Sequence, residues 1–320
     1  MLLLAAAAGL WWWLSQQDKA LEDQGQANLE AILEKRRALA VDLAAAKAAT
    51  AADCPPGQTR QPLAGDAMPP PASPVPAVPA RPALPTSGEV KPLGDAALAE
   101  RLEQATAMVL VPSPDGKGLG TGTGFFIAPN LLVTNRHVVE KASQQVLLVS
   151  NALRSIRHAS VLRITTSSSV GSPDFALLRM DDGVAPGVLD MTPEIGKLAG
   201  VVAAGFPSVV VANDPRFRRL LAGDYSQAPD LSLTQGAVQS LLTGADGMPL
   251  IVHTASIAKG NSGGPLVDAC GRLVGVNTFI TIDQSQSSKI NYAIRAQVMQ
   301  AFLESSGNAA RADARACAHG

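Results

Sequence analysis

Short apolar runs, separated by glycine, proline and aspartate, make up the sequence from about residue 97 to residue 304. No helical pattern separates them, and many short strands at close spacing favour an all-β barrel or sandwich. A short helix over 297–303, with Val298, Phe302 and Leu303 on one side, is expected to close the domain. The predicted strands cover residues 108–111, 124–127, 131–134, 146–149, 161–164, 175–180, 201–206, 231–233, 237–242, 250–254, 273–278 and 290–293.

The chain opens with an uncharged apolar run, residues 2–14, that ends in three adjacent tryptophans. Tryptophan favours the membrane–water interface, and three neighbouring tryptophans cannot share one helical face. We therefore expect residues 1–14 to be part of a transmembrane or signal-anchor segment; a buried segment of a soluble protein is the alternative. The run is shorter than the ~20 residues that cross a bilayer and has no basic residue before it, so the natural start is expected upstream of Met1.

Two further segments precede the β-rich part. Residues 15–53 carry Leu29, Ile32, Leu39 and Leu43 at helical spacing, which predicts an amphipathic helix. A coiled coil is the less favoured form of this helix, because Arg36 would lie in its seam. Residues 54–96 hold repeated prolines and cannot build a core, so they are expected to form a semi-rigid linker.

Charge and cysteine content exclude some classes of function. A net charge of -1 offers no electrostatic basis for binding nucleic acid. The three cysteines, Cys54, Cys270 and Cys317, lack the spacing of metal ligands, so neither a metal site nor a cofactor is predicted. In an exported chain one disulfide could form, with Cys270 and Cys317 as the first choice, and buried free thiols are the alternative.

The run Gly260-Asn261-Ser262-Gly263-Gly264 places one serine among three glycines. A serine attacks a carbonyl when a base takes its proton and backbone N–H groups receive the oxyanion, and glycines allow the tight turn that aims those groups. Ser262 is therefore a candidate nucleophile. A glycine-rich β-turn without chemistry is the alternative.

His137 is the candidate base for Ser262. It follows an apolar strand in Thr-Asn-Arg-His-Val-Val, at an element end from which a side chain can reach a cleft. His158, His253 and His319 compete for the role, but an isolated histidine is more often structural or solvated.

A carboxylate is needed to hold the imidazole in one tautomer and to stabilise its charged form. Asp174 directly precedes the apolar strand Phe-Ala-Leu-Leu and is well fixed for this purpose. Asp181 and Asp182 follow that strand and are expected in a solvated turn with Gly183.

Three motifs, Thr-Asn-Arg-His-Val-Val, Asp-Phe-Ala-Leu-Leu and Gly-Asn-Ser-Gly-Gly-Pro-Leu, occur in the order found in trypsin-like serine peptidases. The sequence resembles most closely their bacterial HtrA-like (Deg) branch, over roughly residues 98 to 304. The order His, Asp, Ser differs from that of subtilisin-like enzymes and α/β-hydrolases.

The resemblance implies a fold of two six-stranded β-barrels, chymotrypsin-like, within a protease domain over 97–304 and followed by a flexible tail over 305–320. It assigns His137 as general base, Asp174 as its orienting partner and Ser262 as nucleophile. The amides of Gly260 and Ser262 would form the oxyanion hole. Polypeptides are the implied substrates, and a homo-oligomer is the implied assembly, because HtrA-like proteins often form trimers.

Departures from the family bear on regulation. No Ile-Val-Gly-Gly-like sequence precedes the domain, so activation by insertion of a new N-terminus is not expected. The residues after Ser262 are too few for a PDZ domain. The long segment 207–229 is either a gate over the site or a plain solvated insertion.

The same resemblance outlines a substrate pocket. Ser256 would form its uncharged floor, and Thr278, Phe279 and Ile280 its wall, which favours small apolar residues over lysine or arginine before the cleaved bond. Lys259 is open to two interpretations: contact with substrate or the oxyanion loop, or a solvated surface lysine.

These features together predict a membrane-anchored serine endopeptidase in the bacterial cell envelope, with its protease domain in the periplasm. The alternatives are a catalytically silent binding module on a membrane stalk and an envelope adaptor that acts through residues 15–50.

Overall fold

The computed structural model describes residues 87–113, 118–142, 146–167, 172–224, 227–244, 247–283 and 288–318. The expected membrane segment, the amphipathic helix and most of the Pro-rich linker lie outside the described residues. Among the residues that are described, no helix is long and apolar enough to cross a membrane.

The folded domain begins earlier than residue 97. Strand β1 (Glu89–Val90) and helix α1 (Asp95–Ala105) precede the first barrel. The helix buries Leu98, Leu102 and Ala105, at the spacings of four and three that place residues on one helical face. The prediction of a linker over 54–96 was therefore wrong at its C-terminal end. Helix α1 was not predicted, although the spacing of its apolar residues is visible in the sequence.

A closed antiparallel barrel of six strands follows, in the order β2-β3-β4-β7-β6-β5. Side chains alternate along these strands: Phe126 packs inside the barrel, whereas Phe125 and Ile127 face the second barrel. A short helix, α2 (Arg136–Val139), follows β4. The strands are β2 (Thr106–Pro112), β3 (Leu119–Ala128), β4 (Leu131–Thr134), β5 (Val146–Val149), β6 (Arg157–Ile164) and β7 (Ala176–Met180).

The second barrel is also closed, six-stranded and antiparallel, in the order β10-β13-β12-β11-β8-β9. Two barrels of six strands are the fold that the family resemblance implied. The strands are β8 (Gly200–Gly205), β9 (Ser232–Thr243), β10 (Pro249–His253), β11 (Pro265–Asp268), β12 (Leu273–Asp283) and β13 (Ser288–Arg295).

One apolar core lies between the barrels and fixes their relative position. It joins Phe125 and Phe175 of the first barrel region to Val202 and Leu273 of the second. The final helix, α5 (Ala296–Glu304), buries Phe302 in this core, where its ring lies 5.8 Å from that of Phe175. A cleft between two barrels held in this way can bring side chains from both into a defined geometry.

Two details of the second barrel differ from the prediction. Segments 231–233 and 237–242 are one strand, β9, because Gly236 is not a break. A Cβ at Gly236 would lie 2.1 Å from the Ala255 nitrogen, so glycine permits close contact between β9 and the backbone that follows β10. Strand β11, immediately after the Ser262 turn, was not predicted.

The segment 207–229 is not a plain solvated insertion. It contains helices α3 (Ser208–Val211) and α4 (Pro215–Leu221), and Asp214 caps α4 by accepting a 2.8 Å bond from the Arg216 N–H. Val211 and Leu220 are buried against Met108 and Phe206. The segment therefore packs against Met108 of the first barrel and against Phe206, which directly follows β8 of the second barrel.

Residues 305–318 do not form a free tail. Strand β14 (Ala316–Cys317) pairs in parallel with β1, and Cys317 forms a disulfide with Cys270, with their Cα atoms 5.9 Å apart. Arg311 makes a two-point ion pair with Asp190, which lies in the connection between the barrels. The C-terminal segment therefore holds that connection in place, and the expectation of a flexible tail was wrong for these residues.

Candidate active site

His137 and Asp174 both come from the first barrel and are in direct contact. The His137 Nδ1 lies 2.6 Å from the Asp174 Oδ2, and the His137 backbone N–H donates to Oδ1 at 3.0 Å. Asn135, just before α2, donates from Nδ2 to the Asp174 carbonyl at 2.6 Å. With Nδ1–H donating to the carboxylate, Nε2 is left as the acceptor, which is the tautomer a general base requires.

Thr278 connects this pair to Ser262. Its Oγ1 donates to the Asp174 Oδ2 at 3.2 Å, and its carbonyl accepts the Ser262 hydroxyl at 3.2 Å. Asp174 is almost fully buried, and the His137 side chain is 37% exposed. The carboxylate is thus shielded while the imidazole remains open to a substrate. Within the part of the chain that the structure describes, the Ser262 hydroxyl is bonded to Thr278 and not to His137.

The turn that carries Ser262 is held from both barrels. The Ser262 carbonyl accepts from the Thr123 N–H at 2.9 Å, and the Gly263 N–H donates to the Asn277 carbonyl at 2.9 Å. Gly263 has φ +83°, and a Cβ there would lie 2.2 Å from the Thr134 Oγ1. Only glycine fits this conformation and this space, which explains the glycine after the serine.

The peptide between Lys259 and Gly260 is oriented by contacts outside the cleft. The Lys259 carbonyl accepts from the Ser208 N–H at 2.7 Å, and the Gly260 carbonyl accepts from the Thr123 Oγ1 at 2.6 Å. Because C=O and N–H point to opposite sides of a trans peptide, the bond to Ser208 directs the Gly260 N–H away from α3. Gly260 has φ +99°, a conformation that favours glycine.

His137, Gly260 and Ser262 line one cleft with a volume of about 410 Å³. Its walls come from the β2–β3 hairpin, α2 and the segment before Ser262. The remaining lining residues are Val111, Pro112, Ser113, Gly120, Thr121, Val138, Glu140, Lys141 and Lys259. The structure therefore brings a histidine–carboxylate pair, a serine and a glycine amide to one opening.

The predicted pocket residues are not among the described residues that line this cleft. Ser256 is exposed, and its carbonyl accepts from the Thr234 Oγ1 at 2.8 Å. Phe279 and Ile280 pair with Tyr292 and Asn291 on β13, after a register shift between Asn277 and Phe279. A bulge at Thr278 re-aims the strand at the point where it passes Asp174.

Two of the competing histidines, His158 and His253, are not among the described residues that line the cleft. His158 lies on β6 and donates its backbone N–H to Asp182 at 3.3 Å. His253 is fully buried at the end of β10, and neither of its ring nitrogens makes a well-formed hydrogen bond with a described residue. Burial lowers the pKa of His253 to about 4, and nearby Ala255 and Asn277 offset only part of this effect. His319 lies outside the described residues.

Several supporting residues were not identifiable from the sequence. Thr123 bonds to Gly260, which is 137 positions away, and to the N–H of Phe206 at 3.0 Å. Ser208 acts through its backbone, so its residue type carries no signal. Among the described residues, one group of side chains, Asp268, Cys270 and Cys317, is close enough for shared metal binding, but both sulfurs are in the disulfide and offer no thiolate.

Residues 122–276 match the family model of the trypsin-like peptidase domain. This segment begins within β3 and ends within β12, so it contains His137, Asp174 and Ser262.

Proteases from several organisms are similar in sequence. "Magnetosome formation protease MamE" of Magnetospirillum gryphiswaldense is 26% identical over 187 residues, which are 57% of this chain and 22% of that protein. "Probable periplasmic serine endoprotease DegP-like" of Pseudomonas fluorescens is 31% identical over 179 residues, 54% and 32% of the two chains. "Protease Do-like 5, chloroplastic" of Arabidopsis thaliana is 30% identical over 196 residues, 58% and 57%. The chain spans less than two thirds of the length of each.

Solved structures of the HtrA-type protease AlgW with a tripeptide have the same fold. One is 25% identical with a TM-score of 0.50 and covers 66% of this chain and 62% of its own. A variant of AlgW is 23% identical with a TM-score of 0.52 and covers 67% and 63%. The comparisons therefore show a trypsin-like peptidase domain over residues 122–276 of this chain, with similarity to HtrA-type proteases.

Proposed function

We propose that the domain is a serine endopeptidase that acts through His137, Asp174 and Ser262. The observation that carries this proposal is the 2.6 Å contact between the His137 Nδ1 and the Asp174 Oδ2, in a cleft that His137 shares with Ser262 and Gly260. His137 takes the Ser262 proton as the oxygen attacks the substrate carbonyl, and Asp174 stabilises the imidazolium that forms.

The N–H groups of Gly260 and Ser262 receive the oxyanion in this proposal. Among the described residues no acceptor takes a hydrogen bond from either N–H, so both remain available to a substrate oxygen. Collapse of the tetrahedral intermediate breaks the C–N bond, expels the amine with a proton from His137 and leaves the acyl group on Ser262. Water then releases the acyl group from Ser262 by the same route. Ser256, Thr278, Phe279 and Ile280 form the pocket for a small apolar residue.

The Ser262 hydroxyl donates a hydrogen bond to the Thr278 carbonyl in the described structure, and this arrangement fits a second candidate function, a catalytically silent binding module. A catalytically silent binding module would retain this arrangement, whereas in an enzyme rotation about the Cα–Cβ bond brings the hydroxyl to His137. A rotamer change of this kind costs little in a side chain with free space beside it.

A fluorophosphonate probe distinguishes the enzyme from the silent module. We expect covalent labelling of the intact protein at Ser262, loss of labelling in Ser262→Ala and a strong reduction in His137→Ala. Ser240→Ala, on β9 and away from the cleft, is the matched control and should label as the unaltered protein does. Absence of Ser262-dependent labelling, with the fold intact by circular dichroism, would overturn the proposal.

We further propose that the enzyme is anchored to a membrane of the cell envelope and faces the periplasm, where it forms homo-oligomers. Three observations support the location. Residues 2–14 are apolar, the Cys270–Cys317 disulfide suits an oxidising compartment, and the similar Pseudomonas protein is named as a probable periplasmic endoprotease. Recovery of the native protein in the soluble fraction after salt washing would contradict the anchor, and light scattering of the purified protein tests the assembly.

A further inference from the structure

The 410 Å³ cleft opens beside Ser262, His137 and Gly260. Its lining contains neither Ser256 nor Thr278, the residues assigned to the acyl-side pocket. It is formed instead by the β2–β3 hairpin, α2 and the Lys259–Gly260 peptide. If the part of a substrate before the scissile bond occupies the Ser256 side, the part after the bond lies in this cleft.

The described lining of this cleft carries excess positive charge. Lys141 and Lys259 are both exposed, and neither forms an ion pair with a described residue. The acidic residue among the described lining positions is Glu140, whose carboxylate lies 3.5 Å from the Arg136 guanidinium. Because Arg136 offsets the charge of Glu140, the two lysines set the sign of the local potential.

We propose that Lys141 and Lys259 form a subsite for an acidic side chain, Asp or Glu, in the first residues after the scissile bond. Lys259 directly precedes Gly260, which lines the cleft together with Ser262, so an anion near Lys259 belongs to a residue close to that bond. Lys141 follows α2 and reaches the same space from the opposite barrel. This inference rests on the proposed peptidase function and specifies its substrates.

A cationic subsite discriminates in both directions. An acidic side chain is attracted by both lysines, whereas a lysine at the same substrate position is repelled, and exposed charge pairs of this kind contribute modestly. We therefore expect kcat/KM for a Glu peptide to exceed that for the matching Lys peptide about tenfold at low salt, with Gln between them. The difference should shrink as ionic strength rises, because salt screens exposed charges.

The test uses peptides that are identical except for Glu, Gln or Lys at the first, second or third position after a small apolar residue. The same preference is measured independently by acyl transfer. An activated ester acylates Ser262, and Glu-containing or Lys-containing dipeptide amides compete with water for the acyl group. The amine nitrogen forms the new amide bond as the ester bond to Ser262 breaks. His137 takes the amine proton and passes it to the departing Ser262 oxygen.

Charge variants locate the origin of the preference. In Lys259→Gln and Lys141→Gln the Glu/Lys ratio should fall, and in Lys259→Glu it should invert. Comparing the ratio within each variant removes any change in overall rate. Lys197→Gln, an exposed lysine remote from the cleft on the second barrel, is the matched control and should keep the original ratio.

The outcomes separate this inference from the function on which it rests. Loss of fluorophosphonate labelling at Ser262 would remove the peptidase itself. If Ser262 is labelled and acyl transfer occurs, but Glu-containing and Lys-containing dipeptide amides react equally well, the subsite is overturned and the peptidase function stands. A Glu preference that persists unchanged in both Lys→Gln variants would equally overturn the assignment to Lys141 and Lys259.

Discussion

The backbone N–H of Ser208 donates to the carbonyl of Lys259 across 2.7 Å. This bond joins α3 to the peptide whose other end carries the Gly260 N–H. Since C=O and N–H point to opposite sides of that peptide, the first residue of α3 sets the direction of a proposed oxyanion donor. The segment 207–229 is thus coupled to the site through main-chain geometry rather than through a side chain.

Ser208→Pro removes this N–H and places the ring Cδ against the Lys259 carbonyl, which displaces that peptide. Proline is favoured at the first helical position, and the extended backbone of Pro207, with ψ 126°, is compatible with a following proline. We expect kcat/KM to fall about 100-fold, as when one oxyanion donor is lost, while KM changes little. Ser208→Ala keeps the N–H and should lose much less activity. Equal activities of the two variants, measured by peptide hydrolysis, would contradict the role of this bond.

Thr278 is the second point at which the barrels are coupled. Its hydroxyl donates to the Asp174 carboxylate at 3.2 Å, so Thr278→Val deletes one hydrogen bond to a buried charge and keeps the shape of the side chain. A bond to a charged group contributes about 1.5 to 3 kcal/mol. We expect kcat/KM to fall at least about tenfold, since 1.4 kcal/mol is a factor of ten, and Thr278→Ser to retain most activity. Similar losses in the Val and Ser variants would show that the hydroxyl is not responsible.

The spacing of short strands predicted an all-β barrel or sandwich, and the family resemblance implied the two six-stranded barrels that the structure has. His137, Asp174 and Ser262 could be selected as candidates because each lies next to a short apolar strand whose pattern is local. Strand bounds for 131–134 and 146–149 agree with the structure to the residue. The acidic residue before a strand, the histidine after one and the serine in a glycine turn are all readable within a few positions.

The contacts that orient these groups could not be predicted in the same way. Thr123 bonds to Gly260, Thr278 bonds to Asp174, and Ser208 bonds to Lys259, at separations of many positions along the chain. Such pairs depend on how the barrels pack, which no local pattern specifies. Gly236 made the sequence predict two strands where there is one, for a related reason. A glycine is needed there because the Ala255 backbone lies close to it, and not because the chain turns.

The buried His253 makes stability depend on pH. Its pKa is lowered from 6.5 to about 4, so the unfolded chain binds the proton more tightly than the folded one. Stability from this group is therefore complete above about pH 6.5 and is lost as the pH falls toward 4, by about 3 kcal/mol in total. Urea unfolding of the protein and of His253→Leu across this range measures the effect. The free-energy difference between the two proteins should change with pH, and parallel curves would contradict the assignment.

The Cys270–Cys317 disulfide fixes the segment that holds the connection between the barrels. The two cysteines are 47 positions apart, and closing a loop of that length in the unfolded chain is worth about 4 kcal/mol in the chain-entropy model. We expect Cys317→Ser and reduction of the unaltered protein to lower the free energy of unfolding by similar amounts. Cys54→Ser is the control, because Cys54 takes no part in this bond. Arg311, in the same C-terminal segment, contacts Asp190 in the connection between the barrels. Activity should therefore be lost at a lower urea concentration in Cys317→Ser than in Cys54→Ser. Coincident inactivation curves would show that the disulfide does not stabilise the site.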